Sequence, residues 1–359
     1  MNLLDRYLVF AVLRGFLLIA AVLTVLFSLL AFVAQLGFVG QGRYSAEDAF
    51  IYMLLTAPYR VVQVAPVSML LGTLLALGGL ARNSELTAFR ALGVSEARIT
   101  GAVLKLAVPV TVALFLVTQF VIPPGQLLAQ HMLATASGEA APLRSAGGFW
   151  VEHDRQYLNV QDFGYGNVPE NIDIYAFGDD GGLTSYIHAK RAEIQPDGTW
   201  LLAGVLKKTA GATQFTTTHL ASLPWQSFIS SHQMQLLMLP PETMPPVALY
   251  KYIGERKRMG QQAQRDELTF WTMVSVPVSL FGMVMIAAPF VFGVQRMQSA
   301  GRQLLIGALL GIGFQICQQV IFYLGLRLSL NPAITALAPS VVLVAYASYL
   351  LRRAHLELR

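Results

Sequence analysis

Six apolar stretches, each about the length that crosses a bilayer, lie in two blocks of three along this 359-residue chain. About 20 apolar residues cross the hydrocarbon core as a helix. A long polar segment separates the two blocks. We therefore predict six transmembrane helices, at residues 8–34, 54–80, 99–122, 268–291, 304–326 and 333–351.

The amino-acid composition supports an integral membrane protein. Only 13% of the residues are charged and 55% are hydrophobic, whereas a soluble domain has about 25% charged residues. The net charge of +5 does not indicate a nucleic-acid partner, because lysines and arginines that flank membrane spans give the same excess. The single cysteine, Cys317, lies in an apolar run, so we expect no intrachain disulfide and a thiol buried in the core.

Basic residues indicate which side of the membrane each connection occupies. An even number of spans places both termini on one side, and the positive-inside rule assigns the basic side to the cytoplasm. We therefore expect cytoplasmic termini and an external central domain, since long domains are translocated regardless of their charge. The basic residues lie around the connections after the second and fourth spans and at the C-terminus: Arg82, Arg90, Arg98, Lys105, Arg296, Arg302, Arg352, Arg353 and Arg359.

The polar central segment is typical of a β domain. Short stretches of alternating polar and apolar residues at 147–237 are separated by turns such as Asp197-Gly198. This spacing predicts an antiparallel sandwich or jelly-roll, and helix resumes after Pro245-Pro246. We predict a first transmembrane block at 1–122, a β-jelly-roll domain with its connecting helices at 123–267 and a second transmembrane block at 268–359.

The motifs of common catalytic and metal sites are absent from the sequence. There is no phosphate-binding G-x-x-x-x-G-K-[ST] loop and no H-E-x-x-H zinc motif, and acidic residues are almost absent from the predicted spans. We therefore predict no catalytic residues, no metal site and no cofactor in this chain. An enzyme or a proton-coupled carrier is disfavoured, which leaves a passive or externally driven device.

The connection after the second span has the features of a coupling element. The pair Asn83-Ser84 is predicted to cap a short helix, Gly93 to end it and Ser95 to cap the next span. Such a helix would present Leu86 and Phe89 about one turn apart. Two interpretations remain open: a loop that packs on its own bundle, or a coupling helix that docks in a groove of a separate ATPase subunit.

Two sequence runs resemble those of a known permease family. They are PVSMLLG at 66–72 and LARNSELTAFRALG at 80–93, and they resemble the signature of the lipopolysaccharide export permeases, the LptF/LptG family. Three spans, an external jelly-roll and three more spans are similar to that family over essentially the whole chain. The stretches LDRY at 4–7, GQGRY at 40–44 and IYAF at 174–177 are most similar to the LptG branch.

The resemblance implies the permease subunit of an ABC transporter in the bacterial inner membrane. Such chains pair with an LptF-like permease and with a dimer of an LptB-like ATPase, which binds the ATP and Mg²⁺. The complex extracts lipopolysaccharide from the outer leaflet and passes it through jelly-roll domains toward LptC/LptA-like periplasmic bridge proteins. The first and fifth spans would line the lateral gate and the cavity.

The resemblance also assigns residues to the ATPase contact. By position, Glu85 corresponds to the coupling-helix glutamate of the family, in a cytoplasmic helix at about 84–92. The predicted ATPase-coupling residues are Arg82, Ser84, Glu85, Leu86, Phe89 and Arg90.

Contacts with the lipid are expected from two groups of side chains. Arginine and lysine bind phosphate through charge-assisted hydrogen bonds, although a cluster on one helix is also typical of a solvated helix face. Family members often carry lysines near the outer end of the first span, where this chain has Ala31, Gly37 and Phe38. The candidates for lipid A phosphate are Arg43, Arg60, Arg256, Lys257 and Arg258. The candidates for an apolar lipid groove, or alternatively for the β core, are Phe149, Trp150, Ile174 and Phe177.

Two further questions have alternative answers. Gly307 and Gly311 form a small-xxx-small pair, which serves either packing within the chain or a seam with a partner subunit. The layout as a whole also suits a mechanotransmission subunit, in which an ATPase drives the external domain against a protein partner and no lipid enters the bundle.

Overall fold

The computed structural model describes residues 3–40, 42–137, 149–153, 155–164, 168–178, 182–195, 199–210, 215–228, 239–258, 262–292 and 300–356. The chain forms two compact units. The transmembrane unit comprises Met1–Leu30, Ala57–Val121 and Gln264–Arg359. The β unit comprises Ala31–Thr56 and Ile122–Ala263.

Helices account for most of the described residues. They are α1 (Leu3–Leu36), α2 (Ala46–Arg82), α3 (Glu85–Ala91), α4 (Glu96–Leu116), α5 (Ile122–Ser137), α6 (Pro246–Arg258), α7 (Gln264–Phe292), α8 (Ala300–Arg327) and α9 (Pro332–Leu356). Six helical stretches are long and apolar enough to cross a membrane, and they coincide with the six predicted spans. The predicted transmembrane helical bundle is therefore confirmed.

The third span remains helical beyond its predicted end at Ile122. A π-helical turn, Val117–Val121, joins α4 directly to α5. Pro123 and Pro124 directly follow this turn, and because a proline inside a continuous helix lacks the N–H that bonds to the preceding turn, an irregular turn is expected at this position. The proline pair therefore marks a change of helix and not the end of helical structure.

The second span lies at the centre of the transmembrane unit. In its most apolar window 78% of the residues are buried, against 17% in α1 and 11% in α8. Helices in lipid associate through close backbone approach at small residues, and Gly15 of α1 packs directly on Gly72 of α2: a Cβ at Gly72 would lie 2.5 Å from the backbone nitrogen of Phe16.

Two glycines of α8, Gly307 and Gly311, also pack on the second span. A Cβ at Gly307 would collide with Leu74, and one at Gly311 would lie 2.7 Å from Val67. The alternative of packing within the chain is therefore confirmed for this pair. The rest of the circumference of α8 is exposed, and Cys317 lies on it. The prediction of a buried thiol is wrong, because an apolar sequence is equally typical of a helix face that meets lipid.

Polar side chains connect the last three spans. The Ser279 hydroxyl of α7 is 2.7 Å from the Ser340 hydroxyl of α9, and Gln318 of α8 donates to the Ser275 hydroxyl at 3.1 Å. Interhelical hydrogen bonds of this kind add to packing in lipid. They hold α7 and α9 together along the same faces where Gly282 contacts Leu343.

The β unit contains one antiparallel sheet of six described strands. They are β1 (Phe149–His153), β2 (Gln156–Gly164), β3 (Val168–Phe177), β4 (Leu183–Ile194), β5 (Thr199–Ala210) and β6 (Phe215–Gln226). The predicted insertion of an antiparallel β domain between two helical blocks is confirmed. Each described strand pairs with its neighbours in sequence. Short connections join each described strand to the next, so the strand order is that of a meander. The predicted jelly-roll would instead imply Greek-key crossings.

A bend in β5 allows both of its halves to contribute to one core. Leu202 and Val205 are both buried in the same hydrophobic cluster, although residues three apart on a regular strand point to opposite faces. Gly204 lies between them with a φ of +66°, which glycine adopts without steric cost. The bend therefore turns the sheet around a core of Leu158, Val160, Ile172, Ile174, Ile187, Ala189, Ala192, Trp200, Leu202 and Val205.

Candidate functional site

The predicted coupling helix is α3, and its start differs from the prediction. Ser84 occupies the N-cap position with φ of 61° and makes no side-chain capping bond. A capping side chain normally needs an extended backbone at the N-cap, and the left-handed conformation of Ser84 does not provide one. The start of α3 is instead stabilised by backbone bonds, since the Ala88 N–H donates to the Ser84 carbonyl at 3.0 Å.

The end of α3 agrees with the prediction. Gly93 has φ of +85°, the Gly93 N–H donates to the Arg90 carbonyl at 2.9 Å, and the Val94 N–H donates to the Phe89 carbonyl at 3.0 Å. This pair of bonds is the Schellman arrangement, which ends a helix at a glycine. The Ser95 hydroxyl then accepts from the Arg98 N–H at 3.2 Å and caps α4.

The two apolar residues of α3 face the bundle of this same chain. Leu86 is only 4% exposed within the transmembrane core, and Phe89 packs against that core. Leu86 therefore packs on the bundle of its own chain, as the apolar face of a surface helix does, and its predicted contact with an ATPase subunit stays a prediction. The large apolar side chain left outside is Leu92, which is 81% exposed.

Two of the three charged residues of the predicted coupling set have a partner that the structure shows within the chain. Glu85 accepts a hydrogen bond from the Tyr7 hydroxyl of α1, at 2.6 Å. The guanidinium of Arg90 forms an ion pair with Glu96 at 3.3 Å. The third, Arg82, is the last residue of α2 and is exposed.

A second ionic group lies beside α3, and sequence reasoning did not identify it. Asp5 of α1 is 1% exposed, accepts from the Arg98 guanidinium at 3.1 Å and accepts from the Lys105 ammonium at 2.6 Å. A buried carboxylate needs such partners to offset its lost hydration. We call Asp5, Tyr7, Glu85, Arg98 and Lys105 the inner cluster; it joins α1, α3 and α4.

The five candidate phosphate ligands are divided among three parts of the chain. Arg43 is exposed in the connection between α1 and α2, and Arg60 lies within α2. The other three form the last turn of α6, where the Arg256 guanidinium lies 5.7 Å from the centre of the Tyr252 ring. Of the five candidates, the three on α6 therefore lie together within one helical turn.

Three of the four candidate groove residues have side chains that the structure describes, and these three do not form one surface. Ile174 belongs to the buried β core, whereas Trp150 stacks on Tyr175 and Phe177 packs edge-to-face on Tyr157. Phe149 lies in β1, opposite Val160, and its side chain lies outside the described part of the structure. Trp150 and Phe177 therefore belong to a band of aromatic side chains rather than to the core with Ile174.

A buried polar cluster lies beside this aromatic band. Asp173, 5% exposed, accepts from Gln161 at 2.7 Å and from the Tyr186 hydroxyl at 2.8 Å, and its Oδ1 lies 2.8 Å from Nδ1 of His188. Burial, together with the hydrogen bond to Asp173, raises the pKa of Tyr186. Because side chains alternate between the two faces of a strand, these residues share one face of the sheet. Only the pairing register of the strands makes them neighbours, so the sequence pattern did not reveal the cluster.

The described residues contain no group of three or more His, Cys, Asp or Glu side chains that could hold a metal ion. What the geometry offers is a membrane bundle with two peripheral apolar helices, a short helix seated at one end of it, and an inserted β unit.

Known proteins share this arrangement at the level of sequence. A family model described as lipopolysaccharide export system permease LptF/LptG matches residues 6–353. The lipopolysaccharide export system permease protein LptG of Haemophilus influenzae is 29% identical over 353 residues, covering 98% of this chain and 99% of that protein. LptG of Escherichia coli K12 is 29% identical over 352 residues, covering 98% of each chain.

These matches extend over both helical blocks and the β unit between them. The relatives are LptG proteins, in agreement with the branch that the short matches near Asp5, Arg43 and Ile174 indicated. Because the family model covers nearly the whole chain, this protein belongs to the LptF/LptG family of lipopolysaccharide export permeases.

Proposed function

We propose that this chain is the LptG-type permease subunit of an ATP-driven transporter that extracts lipopolysaccharide from the inner membrane and passes it through the β unit toward a periplasmic bridge. The observation that carries the proposal is the contrast among its spans. Few residues in the apolar windows of α1 and α8 are buried (17% and 11%), whereas 78% are buried in the window of α2, which packs against both. Two such peripheral helices are what a lateral gate for a large lipid requires.

An apolar path is a physical requirement for this cargo. Moving acyl chains into water costs about 0.8 kcal/mol for each methylene group, and lipid A carries several chains. Exposed residues such as Val25 of α1 and Ile316 of α8 (60% and 55% exposed) supply apolar surface within the spans. A gate between such helices lets the acyl chains leave one apolar environment for another.

The energy for extraction would enter through α3. Because Leu86 and Phe89 seat α3 on the bundle, a push on its outer surface moves the spans that it contacts. Glu85, Arg90 and Leu92 lie at or near that surface. We expect an LptB-like ATPase dimer, with its own ATP and Mg²⁺, to bind here, and an LptF-like chain to complete the cavity.

Charge supports the proposed orientation in the inner membrane. Arg82, Arg90, Arg98 and Lys105 surround α3, and Arg352 and Arg353 end the last span, so the positive-inside rule places α3 and both termini in the cytoplasm. The β unit then lies in the periplasm, where LptC/LptA-like bridge proteins would receive the lipid. The cations at the end of α6 are the proposed phosphate contacts.

Co-purification with site-specific photo-crosslinking tests the proposal. A photo-reactive amino acid at Val25 or Ile316 should form adducts with lipopolysaccharide that increase when ATP is added. The matched control is Val342 on α9, 65% exposed, where adducts should not depend on ATP. The co-purified material should contain an ATPase and a second permease chain, and Glu85→Ala should reduce the ATPase yield while the chain stays folded.

The crosslinking result also decides between the two function classes. A mechanotransmission subunit would give protein adducts at Phe177, which is 36% exposed on the β unit, and no lipopolysaccharide adducts at Val25 or Ile316. That result would contradict lipid transport through this chain.

A further inference from the structure

We propose that Asp5 and Tyr7 are positioning residues of the ATPase-coupling helix, which tie the inner end of the first span to α3 and α4. This inference rests on the proposed function and adds the connection between coupling helix and gate. According to this proposal, a displacement of α3 is transmitted to α1 through the inner cluster and does not have to pass through the rest of the bundle.

The first contact fixes the coupling glutamate. The Tyr7 hydroxyl donates to Oε2 of Glu85 at 2.6 Å, a short bond of the charge-assisted type. Leu8, next to Tyr7, is fully buried, so the backbone that carries the phenol is anchored in the core. The Glu85 carboxylate is thus held in one orientation before any partner binds.

The second contact fixes the same end of α1 to α4. Asp5 lies between the Arg98 guanidinium and the Lys105 ammonium at 3.1 Å and 2.6 Å, while both cations remain about half exposed. Long basic side chains keep their charge in water while their stems reach inward. Because Asp5 is nearly inaccessible, it cannot be released from these cations without a large loss of electrostatic stabilisation.

The rest of α1 packs on the bundle mainly along the N-terminal half of the helix. Leu8, Val12, Phe16 and Ala20 are buried, and Gly15 contacts Gly72. Between Ala20 and Leu30 the one buried residue is Ser28. A helix attached in this way follows the element that holds its inner end, which makes the inner cluster the mechanical link between α3 and the first span.

A double-mutant cycle tests the contact itself on the purified full chain. Tyr7→Phe and Glu85→Ala should each lower the unfolding temperature, and the double variant should lose less than the sum, because either change alone removes the bond. Tyr349→Phe is the matched control, a tyrosine on α9 that is 58% exposed; its effect should add to that of Glu85→Ala. Additive effects of Tyr7→Phe and Glu85→Ala would overturn the contact.

Coupling is tested in the assembled transporter, as ATP hydrolysed for each lipopolysaccharide released. Tyr7→Phe should keep the ATPase subunit bound but raise this ratio roughly three- to tenfold, the range expected on losing one ordinary, solvent-exposed hydrogen bond. Asp5→Asn should act in the same direction, and Tyr349→Phe should leave the ratio unchanged. A mere loss of stability would lower hydrolysis and release together and leave the ratio intact.

The two proposals fail in different ways. If the unmodified chain retains no ATPase or releases no lipopolysaccharide, the proposed function is wrong, while the double-mutant cycle still reports on the contact. If the unmodified complex releases lipopolysaccharide, and Tyr7→Phe hydrolyses as much ATP for each lipopolysaccharide released as the Tyr349→Phe control does, Tyr7 is not a positioning residue.

Discussion

The transmembrane unit and the β unit both depend on glycine, but for opposite reasons. Gly72 has an ordinary helical backbone and is required by its neighbour, because the α1 backbone lies where a side chain would begin. Gly204 is required by its own backbone, with φ of +66°. In lipid the close approach of helices is the source of stability, whereas in the sheet a local bend is what closes the core.

The largest expected effect is that of Gly72→Ala. The new Cβ would lie 2.5 Å from the Phe16 nitrogen and 2.8 Å from the Gly15 carbonyl carbon, and two backbones cannot adjust as a flexible side chain can. We expect the free energy of unfolding to fall by about 3 kcal/mol, at the upper end of overpacking effects, measured by thermal unfolding in detergent. Gly313→Ala, where the space is open, is the control; it should not lower stability and should raise it by up to about 1 kcal/mol, the gain in helix propensity from glycine to alanine.

Gly204→Ala should have the next largest effect, because alanine would be forced into a left-handed conformation beside Lys190. We expect a loss of about 2 kcal/mol, monitored by tryptophan fluorescence of the β unit, where Trp200 is 1% exposed. Asparagine tolerates this backbone conformation better than alanine, so Gly204→Asn should lose less. Equal losses for the two variants would show that space, and not backbone conformation, selects glycine here.

A smaller effect is expected from the hydroxyl pair between α7 and α9. Ser279→Ala removes the 2.7 Å contact with Ser340, and interhelical hydrogen bonds in membranes contribute about 0.6 kcal/mol. Thermal unfolding of the single and double alanine variants measures the interaction energy. Ser348→Ala is the control, since that hydroxyl bonds to Val344 of its own helix; it should show no interaction energy with Ser340→Ala.

The last effect is a dependence on pH and belongs to the Tyr186 hydroxyl. Burial raises the pKa of Tyr186, so its contribution to stability is complete below the ordinary tyrosine pKa of about 10 and is lost as the pH rises above that value. The stability of the unmodified β unit should therefore fall more steeply between about pH 10 and 11.5 than that of Tyr186→Phe. Parallel curves from denaturant unfolding at each pH would contradict this account.

Features that are local in sequence were predictable. Apolar length located the six spans, Gly93 and Ser95 located the end of α3 and the start of α4, and Asp197-Gly198 located the connection between β4 and β5. Each depends on the conformational preference of a few adjacent residues. The family signature around Glu85 is local in the same sense.

Features that depend on tertiary contact were not predictable from the pattern. Leu86 faces its own bundle and Cys317 faces outward, although apolar sequence alone is consistent with either environment. Asp5 meets Arg98 and Lys105 across 93 and 100 positions of sequence, and no periodicity reports such a pairing. Asp173 gathers its partners only through the strand register.

The exposed thiol of Cys317 has a practical consequence for experiments on the gate. Because it is the single cysteine of the chain and lies on the outward face of α8, the unmodified protein is already a single-site labelling variant. An environment-sensitive fluorophore or a spin label attached there would report whether that face meets acyl chains, water or another protein. The movement of the fifth span could thus be followed through an ATP cycle without altering any other residue of the permease.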